Sequence, residues 1–143
     1  MTPQERAERS AQAMWAKDQA SNWLGASLDA VAPGAAVMSM TVAPHHLNGQ
    51  KICHGGYIFT LADSAFAFAC NSYNTKVVAQ HNSISYLSPG REGERLTATA
   101  QEISRTGRSG LYDVTVTGED GRQVALFRGA SRQVNGHHFE EDT

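Results

Sequence analysis

The sequence predicts an α+β fold in which a long apolar helix lies on a curved antiparallel sheet. Two observations predict it. From Ile52 to Thr75 the only formally charged residue is Asp63, set among aromatics, alanines and Leu61. After that stretch the chain alternates apolar and polar residues with the period of strands. A helix that is apolar on nearly every side has to be buried. Lying on one face of a sheet of about five to six strands gives it that burial.

Taken in order, Thr2-Pro3-Gln4-Glu5 opens a helix with a cap, a first-turn proline and an early acid. Ala7, Ala11, Met14 and Trp15, then Trp23 and Leu24, continue an amphipathic pattern expected to end near Ser21-Asn22. Leu28 and Val31 mark a short strand, Pro33-Gly34 a turn, and Ala36 to Ala43 a second strand. The loop Pro44 to Lys51, with its Asn48-Gly49 turn, leads into the long helix, which Asn71 to Asn74 close. Val77 to Leu87, Arg95 to Arg105, Leu111 to Thr117 and Gln123 to Val134 read as a four-strand meander. Glu119-Asp120-Gly121 is a hairpin turn, and Gly129 a bulge or a point of close approach. Residues 1–134 are read as a single domain and the polar residues 135–143 as a flexible tail. Open sheet edges and a helix too apolar for one sheet to cover predict a dimer or larger assembly.

At 143 residues and a net charge of −2, the composition is that of an ordinary soluble domain. It gives no reason to expect nucleic acid or an anionic membrane as partner. Met1 to Asn22 is polar and has no apolar core region, so no secretory signal is expected, and Asp63 interrupts the only candidate membrane span. The two cysteines, Cys53 and Cys70, would stand about 25 Å apart along a straight helix, too far for a disulfide. Free thiols fit a reducing, cytoplasmic setting. The adjacent pairs His45-His46 and His137-His138 lack metal-ligand spacing, so no metal is expected. Cys53-His54 are neighbours whose side chains point apart, a poor nucleophile and base.

One constellation remains: Asn48, His54, Gly55, Gly56 and Asp63. Backbone N–H groups of Gly55-Gly56 at a positive helix end have the properties of an oxyanion hole. Asn48 offers an amide, and an ionised Asp63 can attack an acyl carbon or take a proton from water. Each residue also has a structural reading: Asp63 as a paired buried acid, the glycines as a tight helix entry, His54 as a packing residue, Asn48 as a turn former. Distance sharpens the choice. A helix starting near Gly56 puts Asp63 about 10 Å along its axis, whereas nucleophile and oxyanion donor must converge within roughly 3 Å of one centre. One chain's pair cannot share a substrate. Either the two serve different purposes, or two chains build the site.

His54 to Ala67 resembles the central helix of hotdog-fold acyl-CoA thioesterases, in particular those of the phenylacetate-degradation (PaaI) type. The similarity extends through Thr41 to Asn48, Cys70-Asn71-Ser72, Leu96 to Gln101, Tyr112-Asp113-Val114 and Val124 to Gly129. The resemblance implies a hotdog fold, dimers that pair into tetramers, and sites at the dimer interface. It makes Asp63 the nucleophile or general base and Gly55 N–H the oxyanion donor. Asn48 and His54 would position thioester or water. For the CoA moiety it implies Gly56, Tyr86, Arg91, Arg105, Gly107, Arg108 and Ser109, the arginines gripping phosphates. Some relatives carry Ser or Thr near Ala79 to help place the water; Ala79 cannot. The expected reaction is hydrolysis of phenylacetyl-CoA or a ring-hydroxylated relative to free acid and CoA, with no cofactor. The alternatives are another aryl- or medium-chain acyl-CoA, or a non-catalytic acyl-CoA-binding dimer.

Overall fold

The computed structural model describes residues 1–141. The N-terminal helix α1 spans Pro3–Trp15, with Thr2 accepting the Glu5 N–H as its cap. The expected continuation to Ser21-Asn22 is broken. Asp18 starts a separate short helix, α2 (Gln19–Leu24), by accepting the Ser21 N–H at 2.9 Å, and Gly25 closes it. A cap side chain competes with the helix ladder for the same N–H groups, and here it wins.

Strands β1 (Ser27–Ala32) and β2 (Ala35–Thr41) form a hairpin. A 3-10 turn at Pro44–His46 then leads to the long helix α3, Gly55–Cys70. The remaining strands are β3 (Val77–Tyr86), β4 (Arg95–Thr106), β5 (Ser109–Thr117) and β6 (Gln123–Gln133). All pairings are antiparallel, in the order β1-β2-β4-β5-β6-β3. This corrects the four-strand meander: β4, β5 and β6 form one, but β3 crosses to the far edge and pairs with β6. The connection after Tyr86 shows the crossing, because the Leu87 and Ser88 N–H groups both donate to Val124 O rather than closing a hairpin onto β4.

Helix α3 lies on this sheet as the sequence predicts. Leu61, Ala62, Ala65, Phe66 and Ala69 are fully buried against Met38, Met40, Ala98, Val114 and Phe127. Gly129 is the point of close approach: a Cβ there would stand 2.8 Å from the Phe66 ring. Without that side chain α3 settles onto β6. One stripe of the helix is not sealed. Gly56, Thr60, Asp63 and Ala67, spaced at helical repeats, stay partly or wholly open.

Asn135 to Glu141, expected as a flexible tail, makes contacts with the body. Asn74 Oδ1 accepts the His138 and Phe139 N–H groups, and Asn74 Nδ2 donates to Phe139 O at 2.9 Å. Arg6 pairs with Glu141 at 2.8 Å, and Arg9 lies over the Phe139 ring. Residues 142 and 143 of that expectation lie outside the described residues.

Candidate active site

The loop before α3 is built by hydrogen bonds. Asn48 Oδ1 accepts the Gln50 N–H at 2.9 Å, so this amide shapes the turn, while its Nδ2 donates to no group among the described residues. His54 is the helix cap. Its Nδ1 accepts the Gly56 N–H at 2.9 Å, which requires the proton on Nε2. Gly56 is therefore a correction: its N–H is consumed by the cap and is not free for a ligand. The Gly55 N–H has no acceptor among the described residues.

Tyr86, from β3, lies over Gly55. Its hydroxyl donates to Gly55 O at 2.8 Å, and a Cβ on Gly55 would come within 3.0 Å of the Tyr86 ring. Four residues back on the same inward face, Asn82 Nδ2 donates to Asp63 Oδ1 at 3.2 Å. The two contacts are metrically consistent. Four strand residues rise about 13 Å and the eight helix residues from Gly55 to Asp63 about 12 Å, so β3 tracks α3. That span also keeps the Gly55 N–H and the Asp63 carboxylate of one chain from meeting at one atom.

Asp63 is half-buried, and among the described residues no cation pairs with it. Burial raises its pKa, and the Asn82 hydrogen bond opposes that rise. The thiols are inert by comparison: burial pushes Cys53 up to about 11 and Cys70 up to about 12. His46, half of one adjacent histidine pair, is fully buried with both nitrogens used, by the Ala43 N–H and by Leu24 O. Among the described residues no three His, Cys, Asp or Glu side chains converge as a metal-ligand set, and no helix is long and apolar enough to cross a membrane.

Comparison with known proteins decides the family. The thioesterase superfamily model matches residues 50–125, which include the cap, α3 and the Asn82–Asp63 contact. The acyl-coenzyme A thioesterase PaaI of Escherichia coli K12 is 42% identical over 131 residues, covering 92% of this chain and 94% of that protein. The chain belongs to the thioesterase superfamily. The structure of the E. coli PaaI protein from the phenylacetic acid degradation operon superposes with a TM-score of 0.93 at 40% identity, covering 95% of this chain and 99% of that one. A Streptococcus mutans protein bound to acetyl CoA matches with a TM-score of 0.75 at 26% identity, over 78% and 90% of the two chains. The hotdog fold, the PaaI-type likeness and thioester hydrolysis follow.

Within one chain of this thioesterase the candidate residues divide between the two ends of α3. Asn48, His54, Gly55 and Tyr86 gather at its N-terminal end, and the Arg91 loop joins them because Cys53 N–H donates to Gly90 O at 2.8 Å. Arg105, Gly107, Arg108 and Ser109 form the β4–β5 turn beside Cys70, one α3 length or about 22 Å away. Arg105 stacks over the Tyr73 ring at 3.6 Å, and neither it nor Arg108 has a carboxylate partner among the described residues. An open cavity of about 700 Å³ between α1 and β1, lined by Trp15, Leu28 and Val31, contains none of these residues.

Sequence reasoning missed Asn82. Its signal was present: period two places it on the same face as Ile84 and Tyr86. It also missed the aromatic ledge in which Trp23 stands 6.0 Å from Tyr57, itself 5.9 Å from His54.

Proposed function

We propose that this thioesterase hydrolyses phenylacetyl-CoA or a ring-hydroxylated relative, releasing the free acid and CoA during aromatic degradation in the cytoplasm. The observation that carries the reading is Asp63, a carboxylate with no cation partner among the described residues, on the open stripe of a buried helix. Such a group is costly to keep, and thioester hydrolysis gives it work. The PaaI names of the relatives support the acyl group.

In this reading two copies of the chain make each site. The Asp63 of one protomer meets the Gly55 N–H of the other, and the dimers pair into a tetramer. The open edge of β3, with Val78 and Tyr86 exposed, supports a partner on that side. By one route Asp63 attacks the carbonyl carbon, the C–S bond breaks, and water then hydrolyses the acyl–Asp63 anhydride to release the acid and restore the carboxylate. By the other, Asp63 takes a proton from the water that attacks the carbonyl carbon, and the C–S bond breaks as the acid forms. In both, Gly55 N–H stabilises the oxyanion and the CoA thiolate takes up the proton that the water supplies. His54 Nε2–H and the free Asn48 Nδ2 stand beside that oxyanion donor to position thioester or water. Tyr86, Arg91 and the Arg105 to Ser109 turn hold the CoA moiety, its phosphates meeting guanidinium groups free of carboxylates. No metal or added cofactor takes part, so dialysis against a chelator should leave the rate unchanged.

The decisive test is thiol release from phenylacetyl-CoA by wild type and Asp63→Asn, beside a panel of hydroxyaryl- and alkanoyl-CoA esters. Loss of a general base or nucleophile costs at least ~100-fold in kcat; unchanged turnover would overturn the assignment. Full activity from a monomer in sedimentation would refute the two-chain site.

A further inference from the structure

We propose that Asn82 is the positioning residue of Asp63, holding Oδ1 of the carboxylate and leaving Oδ2 as the atom that meets the thioester carbon or the attacking water. The inference rests on Asp63 being the reacting carboxylate. Three observations carry it. Asn82 Nδ2 donates to Asp63 Oδ1 at 3.2 Å, and no other side chain or backbone group bonds this carboxylate among the described residues. Asn82 sits on a strand, where asparagine is disfavoured, and its own Oδ1 is buried without a partner. Keeping that orphaned oxygen costs stability that an apolar residue would not. Lastly, Asn82 lies opposite Gly129 in the β3–β6 ladder. The missing side chain there lets Phe66 and α3 close in, so no side chain of β6 stands opposite Asn82 where the amide reaches the acid.

A carboxylate free to rotate presents either oxygen at any angle. One donor on Oδ1 fixes the plane and the exposed edge, and it favours the charged form that either route to hydrolysis requires. Among the described residues no cation does this in its place. On the elements packed around α3, Asp18 bonds Ser21, Glu102 accepts from Tyr73 and Tyr112, Arg128 pairs with Asp113, and His81 is exposed on β3. The Cys70 thiol, two turns along α3, stays protonated. Among the described residues the amide is the one group set to the task.

The test is the pH profile of kcat for phenylacetyl-CoA hydrolysis in Asn82→Leu, in the smaller Asn82→Ala, and in Asn82→Ser, which restores a donor. Both apolar variants should lose about tenfold or more in kcat near neutral pH, the worth of a hydrogen bond to a charged group. Their acid limb should move to higher pH with KM within about twofold of wild type, and Asn82→Ser should fall between. An unmoved acid limb in whichever apolar variant folds, or a loss shared equally by all three variants, would overturn the proposal. Asp63→Asn separates the two levels. If it is inactive while the Asn82 variants keep the wild-type limb, only the role of Asn82 fails; if it is active, the reading of Asp63 fails first.

Discussion

Asp63→Asn should make the protein more stable at neutral pH while abolishing its activity. Burial raises the Asp63 pKa above the 3.8 of a free carboxyl, and the hydrogen bond from Asn82 opposes that rise without a cation to complete the compensation. A carboxyl whose folded pKa is raised binds its proton more tightly when folded. Its contribution to stability is therefore fully present below the unfolded value and is lost as pH rises through the folded one. At pH 7 the ionised Asp63 subtracts from stability. The neutral amide is nearly isosteric, keeps an oxygen for Asn82 Nδ2, and carries no such penalty. Each tenfold weakening of the acid on folding corresponds to about 1.4 kcal/mol, or ~3–6 °C in Tm for a chain of this size. Thermal unfolding of both proteins from pH 4 to pH 8 provides the check. The advantage of the variant should be largest at pH 7 to 8 and should shrink towards pH 4. A variant less stable than wild type at pH 7, or an advantage that does not change with pH, would refute the reasoning. It would mean that the carboxylate is compensated after all.

Three further outcomes are expected. Gly129→Ala places a methyl 2.8 Å from the ring of Phe66, which is only 1% exposed and has nowhere to swing. Overpacking of this kind costs about 1–3 kcal/mol in urea unfolding, and Phe66→Leu in the same chain should recover part of it. His46 has its pKa lowered by burial and by the neighbouring His45, so its stabilising contribution is present above its unfolded value of 6.5 and is lost as pH falls through the folded one. His46→Gln should cost about 1–3 kcal/mol at pH 7.5 through the unpaired Ala43 N–H and Leu24 O, and unfolding titrations should show a shallower acid loss than wild type. Asn74→Ala removes the acceptor of two tail N–H groups at a residue with φ +58°, where asparagine is tolerated better than alanine. The tail should then release, seen as faster amide exchange at His138 and Phe139 and a Tm lower by at least ~3 °C.

The sequence by itself determined most of the fold and singled out the residues from which the proposed site is drawn. The apolar helix with one charge, the alternating strands and the glycine pair before α3 are local patterns, and period and propensity act locally. The eight-residue separation of Gly55 from Asp63 likewise needed only the helix rise, because a helix converts sequence distance into length. What only the tertiary structure decided involves partners distant in the chain. The break at Asp18 depends on a cap outcompeting a helix ladder. The passage of β3 to the far edge, next to β6, depends on how a crossover packs, since alternation identifies a strand but not its neighbour. The polar tail meets the body through Asn74, more than sixty residues earlier, whose amide groups are turned towards it. Asn82 shows the division most clearly: its inward register could be read from Ile84 and Tyr86, but that this register ends on the one carboxylate of α3 required the helix and the strand to be laid side by side.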